Sequence, residues 1–147
     1  SGGNGGGSIT FPFSATATVP ASCEIDVMNN LNFGTVPGLI NSNNDQTTSL
    51  SFTCTKTTPW KVSLDNGLHA NGTVRRMRLD ATSNYVEYEL YSDSARNLPW
   101  GSTLDVDTVN SIGTGSSQSL TVYGRVPAPQ SVPSGNYSDT VTVTITY

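Results

Sequence analysis

The chain has 147 residues and a formal net charge of −4, from 7 Lys and Arg against 11 Asp and Glu. Only 12% of its residues are charged, about half the usual share of roughly a quarter, and 19 Ser, 20 Thr, 13 Asn and 14 Gly fill the vacant places. So few charges exclude a coiled coil, and an acidic balance repels phosphate backbones, so no nucleic acid is expected as a partner. Six Tyr, four Phe and two Trp argue against disorder. Thr, Val and aromatic residues form strands, while Ala, Leu, Glu, Lys and Arg, which form helices, are scarce. One all-β domain is expected.

Residues 1–8 read SGGNGGGS, a flexible spacer with no capacity to pack. From Ile9 the pattern changes. Ile9, Phe11, Phe13, Ala15, Ala17 and Val19 alternate with Thr10, Pro12, Ser14, Thr16 and Thr18. One face is apolar throughout, the signature of a strand. Pro12 has no N–H, so this strand pairs incompletely or lies at an edge. Pro20 breaks the run and acts as a linker before Cys23. No charged-then-apolar leader precedes these residues and no apolar run approaches about 20 residues. A mature secreted chain is expected, with its signal peptide gone and no membrane insertion.

Cys23 and Cys54 are the two cysteines, and neither belongs to a CxxC pair. In an oxidising compartment they form one disulfide, closing a loop of about 30 residues. In the cytosol they would be two buried thiols. The secreted reading favours the disulfide.

Residues 23–27 (CEIDV) and 31–36 (LNFGTV) read as short strands, and the Asn-rich residues 38–46 as a loop. Leu50, Phe52 and Cys54 share one face of a strand. Trp60, Val62 and Leu64 share a face of the next, which ends at the turn signal Asp65-Asn66-Gly67. Residues 74–79 and 85–91 look like another pair, with Val86, Tyr88 and Leu90 alternating. Arg75, Arg76 and Arg78 are the one basic cluster. An anion site is conceivable, but outward side chains on a charged strand are the plainer reading. Residues 97–103 form a turn region, 105–119 read mostly as loop, 120–126 as a strand, and the three prolines of 127–135 require a connection. In the last segment Tyr137, Asp139, Val141, Val143, Ile145 and Tyr147 share one face of a strand, opposite Ser138 and the threonines. Many short strands without helical periodicity suggest a β-sandwich.

Strong strands therefore lie near both ends. If the N-terminal strand joins its own sandwich, the domain is ordinary. If it does not, the body lacks a strand and exposes an apolar cleft beside an unpaired edge, an open template for another chain. The detached segment would then plug a neighbour, head to tail, and build a filament.

A series of motifs bears on that choice: Cys23-Glu24-Ile25, Leu31-Asn32-Phe33-Gly34, Ser51-Phe52-Thr53-Cys54, and Val62 through Gly67. Further on come Arg76-Met77, Tyr88 through Asp93, Trp100-Gly101, Val122-Tyr123-Gly124-Arg125-Val126, Pro133, and Gly135 through Val143, with Tyr147 last. In their order and spacing they resemble the spore coat protein U domain family, whose best-understood members are subunits of archaic chaperone–usher pili. The resemblance runs from about Ile9 to Tyr147. It implies an incomplete immunoglobulin-like β-sandwich completed by a donor strand from a neighbouring subunit. Residues 1–20 would be the flexible start plus donor strand, and 21–147 the pilin sandwich. Ile9, Phe11, Phe13, Ala15, Ala17 and Val19 would be the donor face. The segment bearing Tyr137, Val141, Val143, Ile145 and Tyr147 would flank the acceptor groove and bind the chaperone. Implied partners are identical subunits, a periplasmic chaperone and an outer-membrane usher. The implied location is an extracellular pilus supporting attachment and biofilm formation. A tip or minor adhesin domain, binding a surface or glycan, is the alternative, and a spore coat protein a third.

Signals for catalysis are weak. His69 is the single histidine, and no nucleophile-elbow sequence accompanies it, so a Ser-His-Asp triad is not expected. Glu87 and Glu89 share a strand face and read as a solvated surface rather than a glycosidase pair. Asp105 and Asp107 are too few for calcium. Asn71-Gly72-Thr73 and Asn136-Tyr137-Ser138 match glycosylation sequons but read as turns in a bacterial chain. Trp60 and Trp100 are assigned to packing rather than a sugar platform. No enzyme activity, metal or cofactor is expected.

Overall fold

A computed structural model describes residues 5–147, so the first four residues of the glycine-rich start lie outside the described residues. The described residues contain eleven strands and no helix. They are β1 (Cys23–Met28), β2 (Leu39–Ile40), β3 (Asn44–Cys54), β4 (Pro59–Leu64), β5 (Arg75–Leu79), β6 (Tyr85–Tyr91), β7 (Val109–Ile112), β8 (Ser117–Val126), β9 (Gln130–Ser131), β10 (Tyr137–Ser138) and β11 (Val143–Thr146).

Six of them form one sheet in the order β1-β3-β8-β6-β5-β10, and three form a second in the order β11-β4-β7. A two-stranded ribbon joins β2 to β9. Alternation sets the faces. Leu50, Phe52 and Cys54 of β3, Val86, Tyr88 and Leu90 of β6, and Val122 and Val126 of β8 point inward and are buried. They meet Trp60, Val62 and Leu64 of β4. The Phe52 and Trp60 rings cross edge to face between the sheets, 4.8 Å apart. Both tryptophans find partners, as buried indoles must: Trp100 Nε1 donates to the Val62 carbonyl at 2.9 Å, and Trp60 Nε1 to Gln118 Oε1 at 3.2 Å. The fold is an immunoglobulin-like sandwich whose second sheet is short of strands. Cys23 and Cys54 face each other across β1 and β3 and are joined by a disulfide.

Five expectations need correction. Residues 31–36 form no strand. Asn32 Oδ1 accepts the Gly34 N–H at 2.7 Å, and Asn44 Nδ2 donates to the Phe33 carbonyl at 3.0 Å. Local Asn bonds thus replace a ladder, while Leu31 and Phe33 pack down onto Gly124 of β8, where a Cβ would meet both. Residues 38–46 are not all loop, because β2 and the start of β3 lie there, and residues 105–119 contain β7 and the start of β8. Tertiary pairing to β4 makes β7 a strand without internal alternation. Arg75 points inward and is only 3% exposed. Its guanidinium donates to the carbonyls of Leu64, Asp65 and Trp100. Finally, the last segment is not one strand: β10 pairs with β5 in the large sheet, and β11 pairs with β4 in the small one.

The disulfide ties the edge strand β1 to β3. Replacing both cysteines with serine is expected to lower the unfolding free energy by about 3–4 kcal/mol, the entropy of a loop this long. The fall should appear in the urea midpoint, matched by reductant on the parent protein. An unchanged midpoint would show that β1 needs no tether.

Candidate functional site

Sheets of unequal width leave a groove. One wall is the end of β1 and the irregular chain after it, with Met28, Leu31 and Phe33. The other wall is the C-terminal segment, with Tyr137, Asp139, Val141 and Val143. The floor is core: Leu64, Met77, Tyr88, Leu90 and Val122. This part has a volume of about 460 Å³. It continues past Leu31, Phe33, Met77 and Tyr137 into a second part of about 520 Å³, bounded by Gly38, Val86 and Val132. Asp139 is the one charged side chain among the described lining residues.

The groove runs beside an open edge. β11 ends its sheet, so its backbone pairs with β4 on one side only. Val143 and Ile145 face inward yet stay half-buried. Across the gap, Ile25 and Met28 of β1 remain 47% and 41% exposed, although their β3 partners Phe52 and Leu50 are buried. Unpaired N–H and C=O groups beside uncovered apolar side chains are the two costs that a missing strand leaves behind.

The N-terminal segment supplies neither remedy to its own body. Residues 5–22 are exposed and enter no strand. Ile9 is 97% exposed, Phe11 and Phe13 are 91%, and Val19 is 81%. Ala15 and Ala17 are exposed as well, and Pro20 and Ala21 lead from the segment into β1. Ala21 lies near Thr146 and Tyr147 at the end of the small sheet.

A polar cluster stands in the C-terminal wall. The Tyr88 hydroxyl donates to Asp139 Oδ2, and the Leu68 N–H donates to Asp139 Oδ1 at 2.9 Å. Burial, reinforced by the bond to Asp139, pushes the Tyr88 phenol far up, so it remains a proton donor. Burial lowers the Arg75 guanidinium from its usual value, with the nearby Tyr88, Glu89 and Asp65 opposing the shift. Sequence patterning names Asp139 only as a face-mate of apolar residues. An acid on an apolar face was the available signal for this cluster.

The other candidates are scattered. His69 is half-buried, and its carbonyl accepts from Arg76 Nε at 2.7 Å. Asp105 pairs with Lys61 at 2.7 Å, and Asp107 Oδ1 accepts the Thr103 N–H at 2.8 Å. Among the described residues no three His, Cys, Asp or Glu side chains are grouped to hold a metal. Asn71 opens a turn to Val74. The tryptophans are core.

The Spore Coat Protein U domain model matches residues 9–144. Protein U of Myxococcus xanthus is 41% identical over 128 residues, covering 80% of this chain and 71% of that protein. Among solved structures, the chaperone–tip adhesion subunit pre-assembly complex of CsuC and CsuE, from the archaic chaperone–usher Csu pili of Acinetobacter baumannii, superposes with a TM-score of 0.66 at 30% identity. That match covers 88% of this chain but only 40% of the solved one.

One acid outside the groove reports on burial. Glu89 lies on the outer face of β6, where burial raises its carboxyl above the usual value against the pull of Arg75. The folded state therefore holds the proton to higher pH than the unfolded state. Below the unfolded pKa the group is neutral in both states and costs nothing. As pH rises through the window between the two pKa values, stability is lost. Glu89→Gln is expected to raise the melting midpoint at pH 7 and to leave it unchanged near pH 3, where the carboxyl is protonated in both states. Equal midpoints at pH 7 would remove burial as the cause.

Proposed function

The chain belongs to the Spore Coat Protein U domain family, and on that footing we propose that it is a structural pilin subunit of an extracellular archaic chaperone–usher pilus. Subunits polymerise by donor-strand exchange: residues 9–19 of one copy enter the groove of the next and pair with the free edge of β11. The carrying observation is a complementary mismatch within one chain. Among the described residues, an apolar-faced segment packs into no core, and an apolar groove holds no strand.

Eleven residues extend about 36 Å at roughly 3.3 Å each. Six apolar side chains buried at about 1–3 kcal/mol apiece give a large gross gain, joined by a ladder of backbone bonds. Because the insert completes a core, leaving it amounts to unfolding and is slow. Small Ala15 and Ala17 between Phe13 and Val19 suit a groove that narrows. Residues 1–20 are thus assigned to spacer, donor strand and the Pro20 linker, and 21–147 to the acceptor body. A subunit with an open groove needs temporary cover in the periplasm. A periplasmic chaperone fits that need at the β11 edge, with an outer-membrane usher exchanging it for the next donor strand. Attachment and biofilm formation follow from a surface filament.

A second reading is favoured by the likeness to a tip subunit: the chain would be the pilin domain of an adhesin, and the monomer would bind glycans on an array. The donor-like face of residues 9–19 speaks for the shaft subunit, since a tip has no further acceptor to fill.

Negative-stain microscopy of the purified protein is expected to show rods that survive mild denaturant. Phe13→Asp buries an unpaired charge in the groove and should abolish them while leaving the body folded, as should deletion of residues 1–19. Rods of normal length from either variant would refute donor-strand exchange.

A further inference from the structure

Between β10 and β11 the chain crosses from the large sheet to the small one, and residues 139–142 belong to no strand. Side chains hold this crossover. Asp139 takes the Tyr88 hydroxyl on one oxygen and the Leu68 N–H on the other. Three residues on, Asp65 Oδ1 accepts the Thr142 N–H at 2.9 Å, while the Asp65 N–H donates to the Thr142 carbonyl at 3.1 Å. The same Asp65 oxygen accepts the Gly67 N–H at 2.9 Å. Gly67 has φ +80°, and any Cβ there would overlap the Asp139 carboxylate. The turn after β4 is thus shaped to let this carboxylate in. Tyr88 rises from the groove floor on β6, so its bond to Asp139 ties the large sheet to the chain that leads into the small one.

The crossover also lines the groove, through Asp139 and Val141. On its open side no strand supports it. Whatever separation β11 keeps from β1 is therefore set from one side, by its ladder to β4 and, where the chain enters β11, by these bonds. We propose that Tyr88 and Asp139 form a latch that positions the C-terminal wall, holding the free edge of β11 at the spacing an incoming strand requires. The inference rests on the strand-acceptor reading above and names the residues that tune it. A charge-assisted hydrogen bond in a partly buried site is strong enough for this role. Its loss would loosen the crossover where the chain enters β11, while the ladder to β4 persists, so that the groove side of the wall varies and capture must await the right geometry.

The test uses the full chain carrying Phe13→Asp, which keeps the acceptor groove and no longer donates. A fluorescent peptide of residues 8–20 is added, and its uptake is followed by anisotropy. Tyr88→Phe, which removes one oxygen and keeps the ring, and Asp139→Ala are each expected to slow uptake about tenfold, the factor one hydrogen bond to a charged group supplies. Asp139→Asn should recover most of the rate, because its amide still accepts from Leu68 and pairs with the Tyr88 hydroxyl. Hydrogen exchange should quicken at β11 in the slow variants while β3 and β8 keep their protection. Uptake at the parent rate by Tyr88→Phe and Asp139→Ala overturns the latch. So does slowing that merely tracks lost protection in β3 and β8. A peptide that never binds the Phe13→Asp parent overturns the acceptor reading, and the latch with it.

Discussion

Everything in this molecule follows from a deficit of one strand. A six-stranded sheet presents a broad apolar face, and a three-stranded sheet covers only part of it. Backbone groups at a sheet edge must find partners, and inward side chains must find cover. On the free side of β11, away from β4, neither demand is met among the described residues. The exposure of Ile25 and Met28 on β1 is the same deficit seen from the opposite wall. The disulfide reinforces that wall, because β1 pairs with β3 alone and would otherwise fray from a core that is open at its flank.

Much of the architecture was legible because alternation is a direct physical readout of a half-buried strand. The inward faces of β3, β4 and β6 can be read residue by residue, as can the apolar face of residues 9–19. What was not legible depended on partners distant in sequence. Residues 31–36 carry a strand-like pattern, yet two asparagine side chains offer closer hydrogen-bond partners than any neighbouring strand does. β7 has no pattern of its own and exists because β4 needs a neighbour. Arg75 looked like part of a charged surface. Its position inside reflects three carbonyls left without partners where β4 ends and Trp100 turns. The split of the last segment into β10 and β11 was hidden for a similar reason. The pattern of residues 137–147 is continuous, and only the turn after β4 reveals that Asp139 has somewhere to go.

The low charge content acquires a reason at this scale. Charged groups are used sparingly, and a few form fixed pairs, such as Asp45 with Arg125 at 2.8 Å and Lys61 with Asp105 at 2.7 Å. Hydrogen bonding from the Arg125 guanidinium holds the Asp45 carboxyl below its usual range. Threonine covers the outer face of β11, at Thr144 and Thr146. A hydroxyl there satisfies water without a field that repels an identical subunit, and its β-branch favours the strand. For a protein proposed to stack copy on copy, strong surface charge of one sign would oppose every addition.

Side-chain order along the proposed donor segment, residues 9–19, carries the remaining information. A strand slipped by one residue turns its whole apolar face to the wrong side, so register against a one-sided groove is sharply defined by parity. A slip of two keeps parity and must be resisted by size. Here Phe11 and Phe13 precede Ala15 and Ala17, so in a groove that fits the proposed register a two-residue shift would exchange an aromatic ring and a methyl group, crowding one place and leaving a void at another. Overpacking and cavities of that size each cost about 1–5 kcal/mol. If residues 9–19 enter the groove of a second copy, the order of large then small residues makes them a keyed insert for a groove with a fixed floor. The floor is fixed because Leu64, Leu90 and Val122 are anchored in three different strands. Specificity for a second copy would then reside in shape along the insert, and strength in the backbone ladder, which any extended chain could supply.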